Sequence, residues 1–213
     1  MKSLITQKIF IDGLAGKLET ILTEPASTPR GIAVIAHPHP LYGGTMDNKV
    51  VYTLFNSLLE LGFITVKFNF RGIGKSEGTY DNGIGEVEDV ISVIETIRGQ
   101  FNNQFSTLPT LLAGFSFGGA IQLRVAERLN PEYLLLIAPS VAHLQAPAVP
   151  QHTKFALIIH GDRDEVVLLE TVLDWAAPAS QPIVVIPGTD HFFHGKLTIL
   201  RHTIITSFTS PLD

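Results

Sequence analysis

The segment LLAGFSFGGA, residues 111–120, sets one serine between two phenylalanines and flanks that trio with glycines. The apolar run TLLAG (110–114) leads into it, and the helix-like stretch GAIQLRVAERLN (119–130) follows. Strand, tight turn and helix in that order are the setting in which Gly-x-Ser-x-Gly can project a serine hydroxyl from the end of a strand. The glycines permit the turn and leave room for the helix against the strand. Outside that setting the same five residues are a small side chain in a glycine-rich bend, so the rest of the chain has to decide.

The alternation continues on both sides. GIAVIAH (31–37), FITVKFNF (63–70), TLLAG (110–114), YLLLIAP (133–139), KFALIIH (154–160) and PIVVIPG (182–188) are short apolar runs, the mark of strands buried on both faces. Helix-like segments lie at 48–62, 85–99, 119–130, 168–176 and 195–208. In EVEDVISVIETI the residues Val87, Val90, Ile91, Ile94 and Ile97 recur at spacings of three and four, which makes one face of a surface helix. Near the N-terminus, Ile5–Asp12 and Lys17–Thr23 flank GLAG and predict an antiparallel hairpin. The pattern therefore predicts an α/β fold: a mainly parallel central sheet with helices on both faces, and a functional site at the carboxyl ends of the strands. At this length, with no linker and no internal repeat, one domain over 1–213 is expected.

Composition narrows the partners. Fifteen basic and twenty acidic residues leave a net charge of −5 with no Lys/Arg run, which makes nucleic acid a poor partner. There is no cysteine, which excludes disulfide scaffolds, thiolate metal sites and a cysteine nucleophile. No segment approaches the ~18 apolar residues of a membrane helix, and the N-terminus lacks a signal-peptide pattern, so a cytoplasmic protein without a membrane partner is expected.

A serine hydroxyl is a weak nucleophile and needs a base that is itself oriented by an acid. The strand-like KFALIIH is followed by GDRDEVV, and PIVVIPG by TDHFFHG, so acid and base candidates follow two later strands. Asp164 is favoured over Asp162, which after Gly161 is more simply a turn residue bonding its own backbone. His191 is favoured over the later His194, an exposed or capping residue, and His160 reads as a packed, hydrogen-bonded strand residue. The catalytic set expected is Ser116, Asp164 and His191.

An oxyanion hole requires two backbone N–H groups. Phe117, after the serine, supplies one. In the loop PHPLYGG after residue 37, Pro38 and Pro40 have no N–H, which leaves His39, Leu41 or Tyr42, with His39 preferred as nearest the strand. His37 and His39 could instead hold a metal, but a complete Ser/Asp/His set explains the loop without one. No metal and no cofactor are expected. GIGKSEG (72–78) resembles a phosphate-binding loop, yet Asn69 stands where its first glycine belongs; a glycine-rich turn tied by Arg71 is the better reading.

The stretches HPHPLYGGTMDNKVV, FNFRGIGKSEG, GFSFGG, HGDRDEVV and GTDHFFHGK resemble the α/β-hydrolase superfamily, and within it small bacterial serine hydrolases with little or no lid. The resemblance spans about residues 37–196 and implies the same Ser116–Asp164–His191 triad and Phe117 donor. It also implies an esterase acting on a small-molecule ester-like substrate, and the reading is of a hydrolase that cleaves a carboxylic ester, or else a thioester or amide, through an acyl-enzyme. Leu168 departs from the proline that often follows DEVV in such loops. Only Ser140–Thr153 separate two successive strands where a lid is commonly inserted, so no cap domain is expected. Leu41, Tyr42, Phe115 and Phe192 are the expected substrate-binding residues. The rival is a non-catalytic binding protein that keeps the fold; it would be marked by a missing triad member, and none is missing.

Overall fold

Strand β1 (Ile5–Gly13) turns through two residues into β2 (Gly16–Glu24), and the two pair antiparallel from Gly13↔Gly16 out to Ile5↔Glu24. The computed structural model describes residues 4–105 and 108–209; residues 1–3, 106–107 and 210–213, which the one-domain expectation includes, lie outside the described residues. β2 runs antiparallel to β4 (Phe63–Phe68). From there β3 (Gly31–Ala36), β5 (Thr110–Phe115), β6 (Tyr133–Ile137), β7 (Phe155–Gly161) and β8 (Val184–Ile186) continue in parallel, giving the order β1-β2-β4-β3-β5-β6-β7-β8. This is the α/β-hydrolase fold, with the N-terminal hairpin as one edge.

The strands are apolar throughout because both faces are covered. On one face, α1 (Lys49–Glu60) and α5 (Leu197–Thr209) set Leu54, Leu58, Leu200 and Ile204 against Ile35, Leu111 and Ala113. On the other, α2 (Ile84–Phe105) and α3 (Phe117–Leu129) set Val90, Ile94 and Leu123 against Val34, Leu112 and Ile158. Leu111 and Leu112 thus lie in different cores, as the two-residue period of a strand requires. The short α4 (Leu169–Ala176) buries Val172 in the second core.

Two elements differ most from their sequence limits. α2 passes Gly99, where the pattern stops, because Phe101 beyond it packs into the core and offsets the ~1 kcal/mol preference against glycine. β8 is shorter than PIVVIPG, since it is an edge strand whose register on β7 covers only Val184, Val185 and Ile186. Between β6 and β7 no cap is inserted: Val141 and Leu144 are buried, and Trp175 Nε1–H donates to the carbonyls of Ala146 and Pro147 at 3.1 Å, pinning the segment to the body. Among the described residues no helix is long and apolar enough to cross a membrane.

Candidate active site

Ser116 sits between β5 and α3 with φ 56° and ψ −117°, a backbone state that a non-glycine residue adopts only under constraint. Its N–H donates to Ile137 O on the neighbouring strand, and its carbonyl accepts from Gly119 and Ser140. The flanking glycines are steric necessities: a Cβ on Gly114 would stand 2.4 Å from Gly118 O, and one on Gly118 2.3 Å from Ala36 O. The turn therefore pulls α3 onto the ends of β3 and β5 and points the hydroxyl into a cavity.

His191, from the loop after β8, places Nε2 3.0 Å from Ser116 Oγ, while its Nδ1 lies 2.7 Å from Asp164 Oδ2. A carboxylate only accepts, so Nδ1 carries the proton and Nε2 is left as the acceptor of the serine hydroxyl. Asp164, in the loop after β7, is 4% exposed. Its Oδ1 accepts the N–H of Val166 and of Val167 at 2.9 and 2.8 Å. All three side chains are buried, and residues 75 positions apart in sequence form one hydrogen-bonded line.

The competing acid and base candidates stand elsewhere. Asp162 is exposed and does not bond its own turn as expected; Oδ1 accepts from Thr189 N across the gap at 3.2 Å, and Arg163 N donates to Thr189 O. Asp162 thus helps join the loop of Asp164 to the loop of His191. His194 is exposed and pairs through Nδ1 with Asp190 Oδ2 at 2.7 Å. The N–H of His194, with its side chain and the N–H of Phe192, holds the Asp190 carboxyl below its ordinary pKa.

The loop in which the second oxyanion donor is expected follows β3. Leu41 N–H donates to His39 Nδ1 at 3.2 Å and Tyr42 N–H to His39 O at 3.1 Å, so both are committed within the loop. Of the three expected candidates, His39 is the one whose N–H is not engaged by these two bonds. Phe117 N–H opens α3 and so has no intrahelical acceptor. Because His39 Nδ1 accepts, its Nε2–H faces Tyr80 Oη at 3.3 Å, and burial, with His143 nearby, lowers the ring's pKa. His37 is engaged at both nitrogens: Nε2 accepts from Phe70 N at 3.1 Å and Nδ1–H donates to Pro38 O at 2.6 Å. Arg71 ties the next loop down through Asp89, as the sequence suggested.

Burial lowers the His37 pKa from 6.5 to about 4, so the ring is neutral in the folded protein. The unfolded chain takes up this proton first on acidification. The stability it confers is therefore complete above about pH 6.5 and is lost as pH falls towards 4, by roughly 2 kcal/mol between pH 7 and 5. His37→Gln, which keeps an acceptor for Phe70 N–H but does not titrate, should lower stability at pH 7. Its deficit against the wild type should shrink by that amount at pH 5. Urea unfolding of both proteins at the two pH values measures this; a deficit independent of pH would show that His37 is not the titrating group.

The cavity above Ser116 has a volume of about 390 Å³, and its lining includes Tyr42, Asn48, Val166, His191 and Phe192. Of the expected substrate-binding residues, Tyr42 and Phe192 reach it. Phe115 does not: it is the last residue of β5 and points into the core, its ring 4.9 Å from that of His191, which it backs from below. Leu41 is 66% exposed and lies outside the lining. Asn48 and Val166 escaped the sequence reading. Their signals were present, a helix-capping residue at the end of the oxyanion loop and an apolar residue in the polar acid loop.

The fold and the hydrogen-bonded line define an α/β-hydrolase of the serine type. A family model described as serine aminopeptidase, S33, matches residues 27–160, and the chain belongs to that family. It is similar to an α/β serine hydrolase without lid from Xanthomonas campestris, with 37% identity, 93% of this chain and 91% of that one covered, and a TM-score of 0.86. An α/β serine hydrolase homologue from Coxiella burnetii is 40% identical, with 97% and 98% covered and a TM-score of 0.83. An uncharacterized protein of Rickettsia prowazekii is 34% identical over 89% of this chain and 83% of its own length.

Proposed function

We propose that this serine hydrolase cleaves small carboxylic esters through an acyl-enzyme, with Ser116, His191 and Asp164 as its triad. Ser116 Oγ attacks the carbonyl while His191 Nε2 takes its proton. The imidazolium is stabilised by Asp164 and returns the proton to the leaving alcohol; water then repeats the sequence on the acyl group. The N–H groups of Phe117 and His39 receive the developing oxyanion. The observation that carries the reading is the Asp164–His191–Ser116 line opening into the 390 Å³ cavity.

The lining also favours an ester over an N-terminal peptide. An aminopeptidase must seat a protonated α-amine on the same residue as the scissile carbonyl, and a desolvated ammonium needs anionic partners. None of the described residues lining the cavity carries a carboxylate. We further propose a single cytoplasmic domain that needs no cofactor, nucleic acid or membrane.

The direct test is labelling with a fluorophosphonate followed by mapping of the modified peptide, then turnover of ester, thioester and aminoacyl-amide panels. Label on the Ser116 peptide and fastest turnover of esters are expected; absence of label in the folded protein would favour a binding protein. The cavity is near the small end of ligand sites, and the β6–β7 segment is pinned rather than poised to move. Along a series of nitrophenyl esters from acetyl to palmitoyl, kcat/KM should therefore peak at the short chains and fall about tenfold or more at the longest. No rise is expected when substrate forms an oil–water interface. A maximum at palmitoyl would reveal an acyl channel beyond this cavity.

A further inference from the structure

The mechanism leaves one buried titratable neighbour of the triad without a task. His160, at the end of β7, is fully buried; its Nε2 lies 2.9 Å from Val167 O and 3.5 Å from Asp164 Oδ2, and its Nδ1 is buried with no hydrogen-bond partner. The carbonyl and the carboxylate only accept, so the proton sits on Nε2 and the orphaned Nδ1 is a lone pair. The other tautomer would turn a lone pair towards two acceptors and still leave Nδ1–H unpaired. Burial is the main influence on the ring and lowers its pKa, with His191 adding to the lowering while Val167 O and Asp164 oppose it. Burial thus favours the neutral imidazole.

An orphaned buried acceptor is destabilising, so an imidazole is a poor filler for this position compared with leucine. What it adds is one N–H aimed at the acid loop. Asp164 Oδ1 already holds Val167 N–H, and His160 Nε2–H holds the carbonyl of the same residue. Residues 164–167 are thereby clamped at both polar groups of Val167, with the donor hydrogen close to the carboxylate oxygen that bonds His191.

We infer that His160 is a positioning residue for this reaction: through its Nε2–H it fixes the loop and carboxylate of Asp164, and so the orientation and basicity of His191. The inference rests on the triad reading above. It touches no substrate, so its removal should act on kcat and on the pH profile rather than on KM.

The test compares His160→Leu, which keeps the volume and loses the donor, with His160→Gln, whose amide nitrogen can take the place of Nε2. The leucine variant should lose about 10- to 100-fold in kcat, the range typical of removed outer-shell partners, with KM changed less than about twofold. Its acid limb in kcat/KM should move upward: with the Nε2–H dipole gone from 3.5 Å away, the Asp164 carboxylate is less neutralised by its surroundings and holds the imidazolium of His191 more tightly. The glutamine variant should recover most of kcat and return the acid limb. A leucine variant with unchanged kcat and acid limb, or a glutamine variant as impaired as leucine in both, would overturn the inference.

Nitrogen NMR of the wild-type imidazoles provides a readout that survives a leucine variant failing to fold. A neutral Nε2–H ring for His160 at about pH 7 to 8 is expected, and an Nδ1–H ring overturns the inference. Wild-type protein that takes no fluorophosphonate removes the triad reading and this inference with it. Wild type labelled at Ser116 with an unaffected leucine variant removes this inference alone.

Discussion

Ser116→Ala should remove turnover almost completely, on the order of 10⁶-fold in kcat on the best ester, and abolish fluorophosphonate labelling while the protein remains folded. The substitution deletes one oxygen whose recorded partner is His191 Nε2, on the wall of an open cavity where water can replace it. The backbone at Ser116 keeps its constrained φ of 56°, because the bonds to Ile137, Gly119 and Ser140 are made by the main chain. Thermal unfolding should shift little, since one hydroxyl on a cavity wall contributes about 1 kcal/mol. The residual rate should reflect the two oxyanion donors and binding alone. A folded alanine variant retaining more than a few per cent of activity would place the nucleophile elsewhere.

The sequence carried the architecture because a sheet covered on both faces leaves continuous apolar runs, and the helices between them leave a different period. It carried the serine, acid and base that the structure brings into one hydrogen-bonded line, because a strand–turn–helix serine followed by acid and base after later strands constrains three separate positions at once. It did not carry what depends on contacts between loops. Asp162 after a glycine has the composition of a local turn, yet its acceptor serves Thr189, 27 residues away. Phe115 and Phe192 are alike as aromatic neighbours of reactive residues. Only the strand's alternation, which turns the residue before Ser116 into the core, separates a buried support from a cavity wall.

The oxyanion loop shows the same limit. Proline chemistry eliminated Pro38 and Pro40, but composition does not show that His39 turns its own ring and carbonyl back onto the N–H groups of Leu41 and Tyr42. The order β2-β4-β3-β5 is also invisible in periodicity, and it matters: it puts the oxyanion loop after β3 directly beside the serine turn after β5. Sequence reasoning supplied the residues of the site, and the sheet order brought them within hydrogen-bond reach.

Asp164→Asn should lower kcat by about 10⁴-fold, and the structure gives the reason in the orientation of the new amide. Two backbone N–H groups, of Val166 and Val167, donate to the oxygen at the Oδ1 position, so the carboxamide oxygen must remain there. The NH₂ is then forced to the Oδ2 position, 2.7 Å from His191 Nδ1. A donor facing Nδ1 favours the tautomer with the proton on Nε2, which cannot accept the proton of Ser116, and no carboxylate remains to stabilise the imidazolium. Asp162→Asn is the matched control. Its amide oxygen can still accept from Thr189 N–H, the side chain is exposed, and it stands outside the line that reaches Ser116. That variant should keep activity within about tenfold. Steady-state kinetics of both, with circular dichroism to establish folding, distinguish the two aspartates. The reverse ranking would move the acid to Asp162 and require the loops after β7 and β8 to rearrange in the working enzyme, because the imidazole of His191 now bonds Asp164.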